Sequence, residues 1–482
     1  MGLELKRLSE IMAITPDFGT DESFNHCKGF YSHWCRYKCT AVQFCNPDSI
    51  ILVHGPQGCV GNERAFLVSD YSQYHGVPFR YTPVTNMNVS DTILGAEDKL
   101  RQAIKEADQI YRPKVIYVFI TCCAGVIKEP VEDIVEEVQS KVKAKLIVVR
   151  AEGFVPSIGS QPYQVQRVCE NLKKPERKVS RSVNILGITK EVHAPGRFPE
   201  DSNEMERLLN KIGVKVNTVL FQTVFVEDFE RATEAEFNTI ICPQWGYPMA
   251  KIMLDEFGIP HGMGFNPIGI EATSKWLMEV AEFFGLEEQT QKVIDEEVSQ
   301  IKEIWEEAKR IVKGKYMFCD GGDPMTSVGR NIAWARAGIE LGMEPILFNL
   351  PDVEIKGKFH HLAFALNDGI DPLAVYTDRY SYHRRLSPVE VARELGIKVE
   401  EVGLYVGDVF PRAIANNWTE PVWDPSNVPR LITATHLNKN RQSPGRRTGF
   451  RGAERFARDI INANKKRERK KKPTLLGRIR GV

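Results

Sequence analysis

Several features are missing from this sequence, and each absence excludes a class of function. No apolar stretch reaches the roughly 18 residues that a membrane-spanning helix needs. The formal net charge is only +1, so the chain as a whole does not supply the field that attracts nucleic acid or a membrane surface. Residues 1–19 lack the apolar core of a secretory signal, and a cytoplasmic protein is therefore expected.

Cysteine is too sparse for a disulfide scaffold, yet it is unevenly distributed. The chain of 482 residues has ten cysteines, and seven of them lie between residues 27 and 123. A single free cysteine is often a small hydrophobic residue of the core. A cluster of cysteines in a cytoplasmic chain instead favours metal ligands over disulfide bridges.

Short strand-like apolar runs alternate with helical patterns, which is typical of parallel α/β sheets. Apolar residues at helical spacing predict helices over 93–109 and 131–142, and one or two helices over 275–312. The strand-like runs form three groups: 49–55, 114–121 and 145–153; 182–188, 214–221 and 237–242; 315–322, 344–350 and 401–409. We therefore predict an α/β chain of three doubly wound Rossmann-like domains, with parallel sheets around a central cleft.

The predicted domains cover residues 1–180, 181–312 and 313–460, followed by a basic tail over 461–482. The tail contains KKRERKKK (465–472), which we expect to be a solvated arm that packs on a partner subunit. Contact with nucleic acid is the alternative for this segment, although nothing else in the chain supports it.

Three cysteines come directly at the ends of predicted strands. Cys59 follows 49–55 through the turn HGPQG, Cys122 follows 114–121, and Cys242 closes 237–242. Ligands of open α/β sheets bind outside the carboxyl ends of the strands, and glycine lets backbone approach a ligand closely. We therefore predict that these cysteines face a cleft, and that Cys59 with the cysteines around it ligates an iron–sulfur cluster.

The spacing Cys35-x23-Cys59-x62-Cys122 matches neither a zinc ribbon nor a bacterial ferredoxin. Three separated thiolates from one chain leave a fourth iron position open. That position suits a cluster shared across a subunit interface, or one completed by a ligand other than cysteine.

These motifs resemble the nitrogenase component 1 family, in particular its α-type subunits and nitrogenase-like relatives. Cys35 stands in CRYKCTA, where Cys39 replaces the usual glycine, and Cys59 stands in HGPQGC. Further similar segments are NMNVSDTILGAEDKL (86–100), TCCAGVIKEP (121–130) and VRAEGF (149–154). The resemblance implies that Cys35, Cys59 and Cys122 hold an interface cluster of P-cluster type, 8Fe or 4Fe–4S. The choice between Cys122 and Cys123 stays open, and Cys27, Cys39 and Cys45 have no assigned role.

Two later segments resemble the parts of the family that bind the active-site cofactor. ICPQWGYPMAKIMLDEFGIP (241–260) implies that Cys242 ligates a complex iron–sulfur cofactor similar to FeMo-cofactor, with its heterometal and any organic acid undetermined. RTGFRGAERFARD (447–459) follows His436, which the resemblance makes the second cofactor ligand. Candidate catalytic or proton-path groups are His75, Tyr163, His261 and Arg446.

The chain departs from the family pattern where nitrogenase contacts its substrate. EGFVPSIGSQPYQVQ (152–166) places Gly159 and Tyr163 where the family has glutamine and histidine, and Leu67 replaces an arginine. The resemblance therefore implies a nitrogenase-like reductase, best matched by methylthio-alkane reductase, which cleaves C–S bonds of small thioethers. The alternatives are a nitrogenase α subunit, a cofactor-assembly scaffold without turnover, and a tetrapyrrole reductase in which Cys242 has no ligand role.

The resemblance also implies the partners of the chain. These are a homologous β subunit in an α2β2 heterotetramer, an ATP-dependent iron protein as electron donor, and a small-molecule substrate. The sequence has no G-x-x-x-x-G-K-[ST] loop, so ATP hydrolysis belongs to that iron protein. Neither nucleic acid nor a membrane is expected as a partner.

Overall fold

The structure is a computed structural model that describes most of the chain. The residues described are 3–14, 48–60, 82–152, 172–187, 198–220, 225–241, 243–264, 266–320, 328–349, 369–376, 386, 388–409, 430–435 and 448–471. Within these residues, no helix is long and apolar enough to cross a membrane.

Strands and helices alternate along the described chain. The strands are β1 (Glu4–Arg7), β2 (Ser49–His54), β3 (Val115–Ile120), β4 (Lys145–Arg150), β5 (Ser182–Leu186), β6 (Lys215–Val219), β7 (Phe237–Ile240), β8 (Tyr316–Asp320), β9 (Glu344–Phe348), β10 (Leu373–Tyr376), β11 (Val402–Val409) and β12 (Arg430–Thr435). The α-helices are α1 (Leu8–Ile14), α2 (Val89–Leu94), α3 (Glu97–Tyr111), α4 (Cys122–Val126), α5 (Val131–Gln139), α6 (Phe198–Lys211), α7 (Val226–Glu230), α8 (Pro243–Phe257), α9 (Ile270–Phe284), α10 (Glu287–Val312), α11 (Val328–Glu340), α12 (Pro388–Glu394) and α13 (Gly449–Lys471).

The strands form three sheets, which confirms the predicted α/β class with parallel sheets. The first sheet has the order β2-β3-β4, the second β6-β5-β7, and the third β1-β10-β9-β8-β11-β12. All pairings are parallel except that of β1 with β10. The nine predicted runs correspond to strands of these sheets, whereas β1, β10 and β12 were not predicted.

The first sheet is buried on both faces, which explains why its strands are continuous apolar runs. In β2, Ile50 and Leu52 pack with α3 and α5 on one face. Ile51 and Val53 face the opposite core, which also contains residues of the second sheet and of α8. The first and second sheets therefore share one hydrophobic core.

The chain divides into two compact units, each of which is described separately. The cysteine unit comprises Phe18–Ser202 and Gly213–Gly264, and it contains the first and second sheets. The six-stranded unit comprises Met1–Asp17, Asn203–Ile212 and Phe265–Val482, and it contains the third sheet. The domain boundaries that the sequence suggested at 180, 312 and 460 stay a prediction.

Glycines with positive φ interrupt two of the predicted helices. The helix predicted over 93–109 is split between α2 and α3 at Gly95, whose φ is 88°. The long charged segment forms two helices, α9 and α10, because Gly285 caps α9 in the left-handed conformation. Helix α13 continues through residues 465–471 of the basic tail, where Lys465 lies 3.8 Å from a carboxylate oxygen of Glu307.

A buried ion-pair network joins α6 to α10 in the six-stranded unit. Both terminal nitrogens of Arg207 donate to Glu297, at 2.6 and 2.7 Å, and Arg207 also donates to Glu204. The Glu204 and Glu297 residues are 0% and 4% exposed, so each carboxylate depends on its cation. Lys211 also donates to Glu297, at 2.7 Å.

Replacing Arg207 with leucine is therefore expected to lower the free energy of unfolding by about 3 kcal/mol, since it leaves buried Glu204 with only the more distant Arg451, whose Nη1 is 3.8 Å away, as its cation. The loss lies near the lower end of the usual range because Lys211 still neutralises Glu297. Urea denaturation measures the change. In the control Arg101→Leu, an exposed network with Glu97, Asp98 and Glu137 is lost, and the expected loss of stability is much smaller because solvent screens these charges. Equal losses in the two variants would contradict the assignment.

Glu340, at the end of α11, caps α9 through side-chain hydrogen bonds. Its carboxylate oxygens accept from the backbone N–H groups of Ile270 and Glu271, at 2.9 and 3.1 Å. Burial raises the pKa of Glu340 to about 7, although these hydrogen bonds oppose the shift. Because the folded-state pKa lies above the ordinary value of 4.5, ionisation of Glu340 costs the folded state stability.

The contribution of Glu340 to stability should therefore be greatest below pH 4.5 and should fall as pH rises to about 7. Replacing Glu340 with glutamine removes this ionisation, so the variant should gain stability relative to the unmodified protein as pH rises. Urea denaturation of both proteins at pH 4.5, 6 and 8 gives the difference in free energy of unfolding. A difference that stays constant with pH would show that Glu340 titrates at its ordinary pKa.

Candidate metal centre

The described residues contain part of the predicted site. Cys59, Cys122, Cys123 and His261 are described. Cys35, Cys242, His436, His75, Tyr163 and Arg446 lie outside the described residues, and their assignments stay predictions. In the part of the chain that the structure covers, no three histidine, cysteine, aspartate or glutamate side chains gather as a metal site.

Cys59 and Cys122 leave the same edge of the first sheet on neighbouring strands. Strands β2 and β3 pair in parallel without a register shift, from Ser49 opposite Val115 to His54 opposite Ile120. Their carboxyl ends therefore coincide. Cys59 lies five residues after His54, and Cys122 is the first residue of α4, two residues after Ile120.

A short turn brings Cys59 back over the end of β2. The N–H of Cys59 donates to the carbonyl of Pro56 at 3.0 Å, and the N–H of Val60 donates to that of Gln57 at 3.1 Å. Residues 58–60 begin a helical segment, so Cys59, like Cys122, lies in the first turn after its loop. Cys59 is half-buried, Cys122 is exposed, and neither forms a disulfide. Two accessible thiols on one sheet edge fit two of the ligands of an iron–sulfur cluster.

Cys122 and Cys123 differ in their surroundings. Cys123 packs against the core that contains α3 and α5. Burial raises the pKa of the Cys123 thiol, and the neighbouring Cys122 adds to the shift. Because the thiolate is the form that binds a metal, these surroundings favour the exposed Cys122 as the ligand.

Gly55 and Gly58 in the HGPQG turn have different steric roles. A Cβ atom on Gly55 would lie well inside van der Waals contact with Oγ1 of Thr121, the residue before Cys122. Thr121 has little freedom to move, because its Oγ1 donates to the carbonyl of His54 at 2.8 Å. A Cβ atom on Gly58 would meet no described atom within 4 Å. Only Gly55 is therefore needed for close contact between the two cysteine loops.

A buried histidine–carboxylate pair lies beneath these loops. Nε2 of His54 is 2.6 Å from Oε2 of Glu129, and Nδ1 is 3.0 Å from the hydroxyl of Thr85. His54 is 0% exposed and Glu129 6%. Burial lowers the pKa of His54, although Glu129 opposes the shift, so the neutral imidazole is favoured. In that form Nε2–H donates to Glu129, and Nδ1 accepts from Thr85.

Neither His54 nor Glu129 was a candidate in the sequence, although both occur in the cysteine motifs. His54 is the first residue of HGPQGC, and Glu129 lies in TCCAGVIKEP. The feature that could have identified His54 is its place as a polar residue directly after the apolar run of β2. The sequence did not indicate that the two residues are in contact, because 75 residues separate them.

His261 lies beside the second sheet. It forms a parallel bridge with Asn238 of β7, and its ring packs edge-on against Tyr247 of α8. Nδ1 of His261 donates to the carbonyl of Gly262 at 2.7 Å, which leaves Nε2 as the second ring nitrogen for other contacts. The predicted proton-path role of His261 stays a prediction.

Helix α8, which follows Cys242 directly, packs closely on the end of β5. A Cβ atom on Gly246 would lie 2.8 Å from Cγ2 of Ile240 and 3.2 Å from the backbone nitrogen of Gly187. The absence of a side chain at this glycine lets the first turn of α8 approach the sheet edge. Ile241, which precedes Cys242, is buried and donates its N–H to the carbonyl of Leu186 at 2.8 Å.

The chain is similar to proteins of nitrogen fixation. Residues 38–354 match the family model for nitrogenase component 1 type oxidoreductases. The nitrogenase iron-molybdenum cofactor biosynthesis protein NifE of Methanococcus maripaludis is 27% identical over 278 residues, which are 56% of this chain and 55% of that protein. The nitrogenase molybdenum-iron protein alpha chain of Methanosarcina barkeri is 27% identical over 308 residues, which are 62% of this chain and 56% of that protein. The chain thus spans about half the length of these two relatives.

A solved structure described as "Nitrogenase Cp1 at pH 6.5" has the same fold. The TM-score is 0.62, and the match covers 89% of this chain and 88% of that chain. Sequence identity over the match is 19%, so this likeness concerns the fold alone. It agrees with the α/β class and the parallel sheets described above.

Replacing Gly55 with alanine should separate the two cysteine loops, because the added methyl group overlaps Thr121. We expect the free energy of unfolding to fall by about 1–3 kcal/mol, as for overpacked cores. The matched variant Gly58→Ala should change it by less than about 1 kcal/mol. Thermal unfolding and the iron content of anaerobically purified protein measure both effects. If the two variants behave alike, Gly55 is not the contact that holds the loops together.

Proposed function

The chain belongs to the nitrogenase component 1 type oxidoreductase family, and we propose that it is the cofactor-bearing α-type subunit of a nitrogenase-like reductase. Its proposed reaction is the reductive cleavage of a C–S bond in small methylthio-alkanes. Cleavage of such a bond to C–H and S–H consumes an electron pair and a pair of protons. The same electrons and protons convert a thioether with a β-hydroxyl to a thiol, an alkene and water. The alternative within the same family is a nitrogenase α subunit, whose substrate is dinitrogen.

The position of Cys59 and Cys122 is the observation that carries this proposal. Both cysteines follow the carboxyl edge of the first sheet on adjacent parallel strands. With Cys35 they would hold the interface cluster of P-cluster type. Cys242 and His436 would hold the complex active-site cofactor.

Clusters of this kind, when bound, supply low-potential electron transfer and reductive activation of a small molecule. The protein's own task is to position the ligands and to control access to them. The turn 55–60 presents Cys59, α4 presents Cys122, and the close packing of Gly246 fixes the start of α8 beside Cys242.

The proposed assembly is an α2β2 heterotetramer with a homologous β subunit. Cys35, Cys59 and Cys122 would leave part of the interface cluster to be ligated by residues of that subunit. A separate iron protein would hydrolyse ATP and deliver electrons, since the sequence has no nucleotide-binding loop of the G-x-x-x-x-G-K-[ST] type.

A cofactor-assembly scaffold is the second candidate function. It is favoured by the similarity to the Methanococcus maripaludis cofactor biosynthesis protein, which has the same 27% identity as the Methanosarcina barkeri alpha chain. A scaffold binds a maturing cofactor and releases it, whereas a reductase retains it. Permanent ligation by His436 distinguishes a reductase from a scaffold, because a scaffold must release the cofactor.

Metal analysis of the complex, purified anaerobically with its β subunit, gives the first test. We expect well above about four irons per αβ pair, because a second, larger cluster accompanies the interface cluster. His436→Ala should lose the additional irons and keep those of the interface cluster. About four irons in the unmodified complex would instead support a tetrapyrrole reductase.

Turnover then separates the reductase from the scaffold. With the iron protein, ATP and a reductant, the complex should release ethylene from an ethylene-releasing thioether faster than it reduces dinitrogen or acetylene. No turnover of any thioether would contradict the proposed substrate class. An iron-loaded complex that reduces none of these substrates, yet transfers its cofactor to another protein, would establish the scaffold.

A further inference from the structure

Three chain segments meet at His54, the last residue of β2. The first segment is the turn after β2, which carries Cys59. The second follows β3 and carries Cys122 and Glu129. The third, residues 82–96, runs beside β2 and is held by the bridge between Val84 and Val53.

The second and third segments are hydrogen-bonded to His54 or to its carboxylate partner. The backbone carbonyl of His54 accepts from the N–H of Thr121 at 3.2 Å and from its hydroxyl at 2.8 Å. The imidazole contacts Thr85 through Nδ1 and Glu129 through Nε2. The second oxygen of Glu129 accepts from the N–H of Ala96, which precedes α3.

The hydroxyl of Thr85 completes the connection to the Cys59 turn. It accepts from the N–H of Gly55 at 3.0 Å, and the N–H of Met87 donates to the carbonyl of Gly55 at 3.0 Å. The chain of hydrogen bonds thus runs from Gly55 through Thr85 and His54 to Glu129. All four are buried residues with partners, and such satisfied networks specify one arrangement of the segments that they join.

The distances along the chain from this network to the cysteines are short. Cys59 is five residues from His54, and the turn between them is closed by the hydrogen bond from Cys59 to Pro56. Glu129 is seven residues from Cys122, and its N–H donates to the carbonyl of Ala124 in α4 at 3.1 Å. A shift of His54 against Glu129 would therefore move the two thiols relative to each other.

Stability alone is a weak reason for buried polar groups at this position. Ile50 to Val53 of β2 are apolar and buried, and an apolar residue after them would fill the core without removing a carboxylate from water. Buried ionisable pairs are often no more stabilising than apolar replacements, and the best-supported reason for keeping them is that they fix one geometry.

We propose that His54 and Glu129, linked to the Cys59 turn by Thr85, form a positioning pair that sets the separation of the Cys59 and Cys122 thiols for the interface cluster. This inference rests on the proposed function, since it assigns the pair a role toward the cluster of that same site. The pair does not ligate the cluster; it holds the two ligand loops.

Two variants that break the network test the proposal in the anaerobically purified αβ complex. Glu129→Leu removes both acceptor oxygens, and Thr85→Val removes the hydroxyl at almost unchanged volume. We expect the rate at which a chelator removes iron from the interface cluster to rise about tenfold or more, as for outer partners of metal ligands. The electron paramagnetic resonance spectrum and the midpoint potential of the cluster should also change.

Two controls distinguish positioning from a general loss of stability. Thr85→Ser keeps the hydroxyl and should restore the spectrum and the rate of iron loss. Arg207→Leu lowers the stability of the six-stranded unit through a different buried ion pair, and the cluster spectrum should stay unchanged. If Glu129→Leu does not fold, the comparison of Thr85→Val with Thr85→Ser decides.

Failure of this inference is separable from failure of the proposed function. If Cys59→Ala leaves the cluster spectrum unaltered, or the unmodified complex binds no cluster, the proposed function is wrong and the positioning role is wrong with it. If Cys59→Ala abolishes the spectrum while Thr85→Val and Glu129→Leu match the unmodified complex in spectrum, potential and iron loss, only the positioning role is wrong.

Discussion

The parallel ladder between β2 and β3 is the constraint on which the candidate metal centre depends. Residues pair one to one along the whole of both strands, from Ser49 and Val115 to His54 and Ile120. Since apolar cores cover both faces, a slip by one residue would exchange the side chains of the two cores. The hydrophobic effect therefore fixes the register, and the register places the starts of both cysteine loops side by side.

Polar contacts at this sheet edge then hold the loops that follow β2 and β3. Gly55 allows the loop after β2 to lie against Thr121, and the carbonyl of His54 holds Thr121 in place. The side chains of His54 and Glu129 join the segments that carry the same loops. Burial of apolar side chains thus fixes the sheet, while a few hydrogen-bonded polar groups set the positions of Cys59 and Cys122.

Most strands could be predicted from the local sequence pattern. The features that were not predicted depend on contacts between residues far apart in the chain. The central residues of β2, β3 and β4 are apolar and buried, so each strand was recognisable by itself. Strand β1 has the sequence ELKR and pairs antiparallel with β10, more than 360 residues away, which no local pattern indicates. The cysteine positions followed from strand ends and motifs. The pair of His54 and Glu129 did not, because its evidence is a contact across 75 residues.

In the proposed assignment, Cys59 and Cys122 share an iron–sulfur cluster, and Cys242 and His436 hold a second one. The most direct measurement is an iron anomalous-scattering map from crystals of the anaerobic αβ complex. We expect two separate groups of iron peaks, one adjoining the sulfur atoms of Cys59 and Cys122 and the other adjoining Cys242 and His436. A map with no iron beside Cys59 and Cys122 would contradict it.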